Sequence, residues 1–73
     1  MNKVTDTREL GKMIRARRKE LGYTQAFIAD FAGVSASFLS ELENGKETIQ
    51  LGKAMEILGL LGMDLGLVKR GDE

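Results

Sequence analysis

The sequence predicts a small all-α domain of four short helices, followed by one short C-terminal β-strand. Three features point there. Nine glycines and no proline divide the 73 residues into short apolar runs at helical spacing. Asp6, Thr24 and Ser35 stand just before such runs, where their side-chain oxygens can accept from the free amides of a first helical turn. Past Gly62 the apolar period changes to two.

The elements follow in order. Asp6 with Glu9 fits a capping pattern, and Leu10, Met13, Ile14 and Leu21 then recur at helical spacing until Gly22 stops the run. Thr24 opens a second helix with Ile28, Ala29 and Ala32 inward, ending at Gly33. Ser35 opens a third with Phe38, Leu39 and Leu42 inward, closed by Asn44-Gly45. Thr48 opens a fourth through Leu51, Met55 and Leu58, ending near Gly59 or Gly62. In the tail, Met63, Leu65 and Leu67 fall on one side at a period of two, which is a strand pattern. A lone strand cannot satisfy its own backbone, and no second strand is visible, so the simplest partner is the same strand of a second copy. The chain thus divides into a helical domain, 6–62, and a dimerisation strand, 63–70. Helix 4 offers a rival interface, Leu58 and Leu61 among its residues, because Leu51, Ala54, Met55, Ile57, Leu58 and Leu61 cover more surface than one core needs.

Composition narrows the chemistry. A chain this short buries only roughly 60% of the surface its unfolded form exposes. With no cysteine and no histidine there is no disulfide, no thiolate or imidazole metal site, and no imidazole base for a serine. A second subunit is the expected source of added stability. The 42% apolar and 30% charged content is that of a globular chain. No segment approaches the roughly 20 apolar residues of a membrane span. The residues from Met1 to Asp6 lack the apolar core of a secretory signal, so a cytoplasmic location is expected. No Gly-Lys pair completes a phosphate loop, and Gly59, Gly62 and Gly66 do not match a dinucleotide fingerprint. No enzyme, cofactor or metal is expected.

The zero net charge hides an uneven distribution. Residues 1–20 hold seven Lys or Arg against three acids, whereas residues 21–60 hold two against five. The basic segment reads equally as a surface for a polyanion and as a solvated helix face. Residues 25–44 are more specific. Only Gly33-Val34-Ser35 separates two short helices, Ala29 is small enough for close approach, and Ile28, Ala32, Val34, Leu39 and Leu42 fill a shared interior. That pattern predicts a helix-turn-helix, whose second helix enters a DNA major groove, with a plain helical hairpin as the alternative. With Leu39 and Leu42 inward, Ala36, Ser37, Ser40 and Glu41 point outward, where they can meet thymine methyls and base-edge donors or acceptors. None is a strong reader, so DNA shape and a second subunit must supply much of the discrimination.

Leu21-Gly22-Tyr23-Thr24-Gln25, Ile28-Ala29, Ala32-Gly33-Val34-Ser35 and Leu42-Glu43-Asn44-Gly45-Lys46 together resemble the XRE/Cro family of helix-turn-helix proteins. The resemblance covers roughly residues 8–61. It implies an all-α, four- to five-helix lambda-repressor-like domain that binds operator DNA as a homodimer. It further implies phosphate contacts from Thr24, Gln25, Asn44, Lys46 and Arg17, with Ser35 at the start of the recognition helix and Ala36, Ser37 and Glu41 facing bases. It also implies an ion pair between Arg18 and Glu43. Spacing supports that pair independently, since Arg18 continues the inner row of Leu10 and Ile14 while Glu43 lies one turn beyond Leu39. The tail, Leu60 to Leu67, is similar to HipB-type antitoxins, in which a short strand pairs across the dimer and the protein represses its own operon while binding a HipA-type kinase toxin. Three readings stay open: an autoregulatory antitoxin of a toxin–antitoxin operon, a stand-alone phage or chromosomal repressor, and a protein-interaction module without DNA contact.

Overall fold

The structure, a computed structural model, describes residues 3–71 and contains four helices among them: α1 (Thr7–Glu20), α2 (Gln25–Ala32), α3 (Ala36–Glu43) and α4 (Leu51–Leu60). The first three open on the side-chain caps read from the sequence. Asp6 accepts from the Glu9 amide at 2.7 Å, Thr24 Oγ1 from Phe27 at 3.1 Å and Ser35 Oγ from Phe38 at 3.0 Å. Glu9 reaches back to the Thr5 amide at 3.2 Å, so the capping box is displaced one residue outward. Gly33 closes α2 in the left-handed region (φ 73°), which leaves only Val34 and Ser35 before α3 begins.

Helix α4 starts later than its expected Thr48 cap. Its N-cap is Gln50, which makes no side-chain capping bond, and Thr48 lies in a preceding turn. That turn, with Ile49 N donating to Lys46 O at 3.2 Å, brings the Ile49 side chain against the core. The inner face of α4 also differs from the expected one. Ala54, Ile57, Leu58 and Leu61 are buried, whereas Leu51 and Met55 are about half exposed. Both rows satisfy helical spacing, and packing against α2 selects between them. Leu21 likewise lies outside the core.

The core joins Leu10 and Ile14 of α1, Ile28 and Ala29 of α2, Leu39 and Leu42 of α3, and the buried row of α4. Helix α3 sits at its centre, packed against both α1 and α2. Gly11 sets the α1–α3 approach: a Cβ there would lie 2.5 Å from the carbonyl oxygens of Leu42 and Glu43. A glycine inside a helix costs about 1 kcal/mol against alanine, and here the contact of two backbones requires it. Thr7 Oγ1 donates to Gly45 O at 2.8 Å and fastens the other end of the same seam.

The tail departs from expectation in one respect. Residues 63–69 adopt no regular secondary structure among the described residues, so no strand forms within a single chain. The physical reason is the lack of an intrachain partner for its backbone groups. Met63 instead completes the end of α4: its amide donates to Leu58 O at 2.9 Å and its side chain packs on the core. Leu65 is 41% and Leu67 97% exposed. Leu58 and Leu61, by contrast, are 3% and 1% exposed in this chain's own core. Their expected role at a dimer interface is therefore corrected, because one face of a side chain cannot fill both.

Candidate nucleic-acid interface

Gln25 at the start of α2 bonds Glu43 at the end of α3, and Lys46 in the segment after α3 pairs with Glu41 on its outer face. Thr24 and Ser35 use their hydroxyl oxygens as caps, which leaves each hydroxyl hydrogen free to donate. The first-turn amides of α2 and α3 have no intrahelical acceptor and carry the positive end of the helix dipole, a local environment suited to phosphate. Ala36, Ser37 and Glu41 are exposed on α3, and Ser40 is half-buried. Around this face Asn44 Nδ2 donates to Ser40 Oγ at 3.4 Å, and Lys46 Nζ lies 3.1 Å from Glu41 Oε2. Both members of the Lys46–Glu41 pair are about half exposed, and such pairs are worth about 0–1 kcal/mol, so a phosphate can compete for Lys46.

Behind this face lies the polar centre that holds it. Arg18 Nε donates to Glu43 Oε2 at 2.6 Å and Nη2 to Oε1 at 2.9 Å, while Nη1 donates to the Tyr23 carbonyl at 2.8 Å. Gln25 Nε2 adds a bond to Glu43 Oε1 at 3.0 Å. One carboxylate at the end of α3 is thereby tied to the end of α1, the loop before α2 and the first residue of α2. The Arg18 and Glu43 side chains are only 9% and 2% exposed. Burial pushes the Glu43 carboxyl up, but hydrogen bonds from Arg18 and Gln25, with the charges of Arg18 and Arg15, outweigh it and hold it below the usual carboxylate range. The hydrogen bond to Glu43 raises the Arg18 guanidinium further.

Two expected phosphate ligands are placed otherwise. Arg17 Nε donates to Leu61 O at 2.9 Å and its guanidinium pairs with Glu20, so it caps the end of α4. The Nε–H thereby satisfies one of the carbonyls that a helix end leaves unpaired. Gln25 has its amide nitrogen on Glu43, which leaves its backbone amide and second side-chain hydrogen for an anion. One group escaped the sequence reading altogether. Tyr23, Phe27 and Phe31 stack along the outer face of α2, with ring centroids 5.1 and 6.3 Å apart, and are 39%, 52% and 69% exposed. Their i, i+4, i+8 spacing was the available signal. Among the described residues no cluster of acidic or other ligating side chains is placed to hold a metal, and no helix is long and apolar enough to cross a membrane.

Known proteins resemble this chain in sequence and in fold. A helix-turn-helix family pattern matches residues 14–68. The chain is 36% identical over 64 residues to an uncharacterized HTH-type transcriptional regulator, y4mF, of Sinorhizobium fredii, with 88% of this chain and 84% of that one covered. It is 33% identical over 64 residues to the ImmF control region 10 kDa protein of Bacillus phage phi105, covering 88% and 71% of the two chains. A chain of the HipA–HipB–O2–O3 complex superposes with a TM-score of 0.87 at 23% identity, over 96% of this chain and 99% of that one, which is a likeness of fold. On its sequence and its capped, tightly turned helix pair, the chain belongs to the helix-turn-helix family of transcriptional regulators.

Proposed function

We propose that this protein is a DNA-binding transcriptional repressor that sets α3 into the major groove, and that it acts as the autoregulatory antitoxin of a toxin–antitoxin operon. The observation that carries the first part is the outward row Ala36, Ser37, Ser40 and Glu41, held rigidly by the buried Arg18–Glu43–Gln25 centre. A reading helix must keep its orientation under load, and a fully bonded buried carboxylate at its end does that. Thr24, Gln25, Ser35, Asn44 and Lys46 then hold the flanking phosphates.

The working unit is a homodimer. Leu65 and Leu67 are exposed on a tail whose backbone has no ladder partner, and strand pairing across a two-fold axis would supply that partner. Such a dimer sets two reading helices about 34 Å apart, one turn of DNA. The likeness to a chain solved with HipA and HipB supports an antitoxin role, and the exposed Tyr23, Phe27 and Phe31 ladder favours a protein partner in addition to DNA. A HipA-type kinase is the partner this reading assigns. The likeness to a protein of a phage control region favours the second reading, a repressor without a toxin.

Footprinting on DNA upstream of the chain's own gene tests the proposal. A palindromic protected site is expected, and no protection at low salt would overturn it. Copurification with the product of an adjacent kinase-like gene separates the antitoxin from the stand-alone repressor.

A further inference from the structure

The helix-turn-helix carries no cation of its own. Residues 21–45 hold three acids, Asp30, Glu41 and Glu43, and no Lys or Arg. A duplex presents one negative charge per ~1.7 Å of axis, and affinity for it comes largely from neutralising phosphates. A chain of zero net charge with an acidic reading unit must hold its phosphate-neutralising charge elsewhere. Lys46 supplies one positive charge, which already faces Glu41.

The largest group of exposed cations stands on helix α1. Arg8, Lys12, Arg15 and Lys19 recur at i, i+4, i+7 and i+11, which places them along one side of the helix. All four are exposed, and none has a carboxylate within salt-bridge distance among the described residues. The acids of this region are occupied elsewhere: Asp6 caps the helix, Glu9 turns back to Thr5 and Glu20 pairs with Arg17. The ridge runs about 16 Å at 1.5 Å per residue, the axial length of about five nucleotides of one strand.

Its position fits as well as its charge. Gly11, on the seam beside this ridge, touches the carbonyls of Leu42 and Glu43, and the Gly45 backbone abuts that of Arg8. Arg15 is near enough to Glu43 to act on its carboxyl. The ridge therefore stands beside the C-terminal end of α3, where Glu43 lies one turn from Ser40 and two from Ala36.

We propose that Arg8, Lys12, Arg15 and Lys19 form a phosphate track: α1 grips the sugar–phosphate backbone beside the groove that α3 enters. The inference rests on the DNA-binding reading and extends it by assigning the affinity to α1 and the base contacts to α3. The track is blind to sequence, because phosphates are the same at every step.

The test is a salt titration of the full chain on a fluorescein-labelled 30-base-pair duplex of mixed sequence, comparing wild type with the Arg8→Gln, Lys12→Gln, Arg15→Gln, Lys19→Gln quadruple variant. The log–log slope of affinity against salt should become shallower by about 0.9 for each phosphate no longer neutralised, up to about 3.6 for all four. Lys53→Gln, on α4 with its ammonium over the Phe38 ring, should keep the wild-type slope. Unchanged thermal melting is expected for the exposed quadruple set. If that variant melts early, the four single variants carry the same test at about 0.9 each. A wild type that binds steeply with salt beside a quadruple variant of equal slope overturns the track alone. A wild type that binds the duplex without salt dependence, or not at all, overturns the DNA reading beneath it.

Discussion

Removing Arg18 should cost this domain a large part of its stability. In Arg18→Ala, Glu43 would keep only Gln25 as a hydrogen-bonding side chain, in a site where its own side chain is 2% exposed. Breaking a buried pair by deleting one partner costs about 3–5 kcal/mol, because the survivor is left desolvated. Against a total of about 4–11 kcal/mol for a chain of this length, that loss approaches unfolding at the low end. For a domain of this size each kcal/mol lowers the melting temperature by about 4–8 °C, so a fall of more than about 12 °C is expected. Urea melts with circular dichroism measure it. A pH series separates mechanism from general damage. In the wild type the Glu43 carboxyl is held low, so its contribution is present above the unfolded carboxylate value of about 4.3 and is lost as pH falls through the folded value. In Arg18→Ala burial acts with less opposition and raises the carboxyl, so protonation should favour the folded form and the deficit against wild type should shrink in acid. A stability difference within about 0.5 kcal/mol at neutral pH would refute the reasoning, since only a surface pair is worth so little.

Gly11→Ala should destabilise by about 1–3 kcal/mol despite alanine's better helix propensity, because the added Cβ meets two backbone carbonyls at 2.5 Å; an unchanged or raised melting temperature would contradict the close seam. Ser35→Ala should cost about 1 kcal/mol in urea melts by removing the cap on Phe38 and should also weaken duplex binding; intact affinity would remove Ser35 from the phosphate set. Deleting residues 64–73 should turn a dimer into a monomer in sedimentation and weaken operator binding with it. A truncated chain that still sediments as a dimer would take the tail out of the interface and leave the exposed Leu51 and Met55 of α4 as its site.

Local rules carried much of this architecture. Caps at Asp6, Thr24 and Ser35, and the glycine that ends α2, depend on interactions within four residues, so they are written along the chain. The same holds for the tight turn that defines the helix pair, and the spacing that placed Arg18 and Glu43 inward needed only the helical period. Where two registers were equally periodic, the chain alone left the choice open. Leu51 and Met55 could have faced inward as well as Ala54 and Leu61, and only packing against α2 separated them.

Contacts between distant segments were the part hidden from a linear reading. Arg17 looked like a free cation until α4 ended beside it and offered the Leu61 carbonyl. Gly11 showed its role only once α3 lay so close that a Cβ there would stand 2.5 Å from two carbonyl oxygens. Period and capping are short-range properties of the backbone, legible wherever the residues stand. Which surface remains free for DNA or a partner depends on what the rest of the chain covers, and that follows from three-dimensional packing.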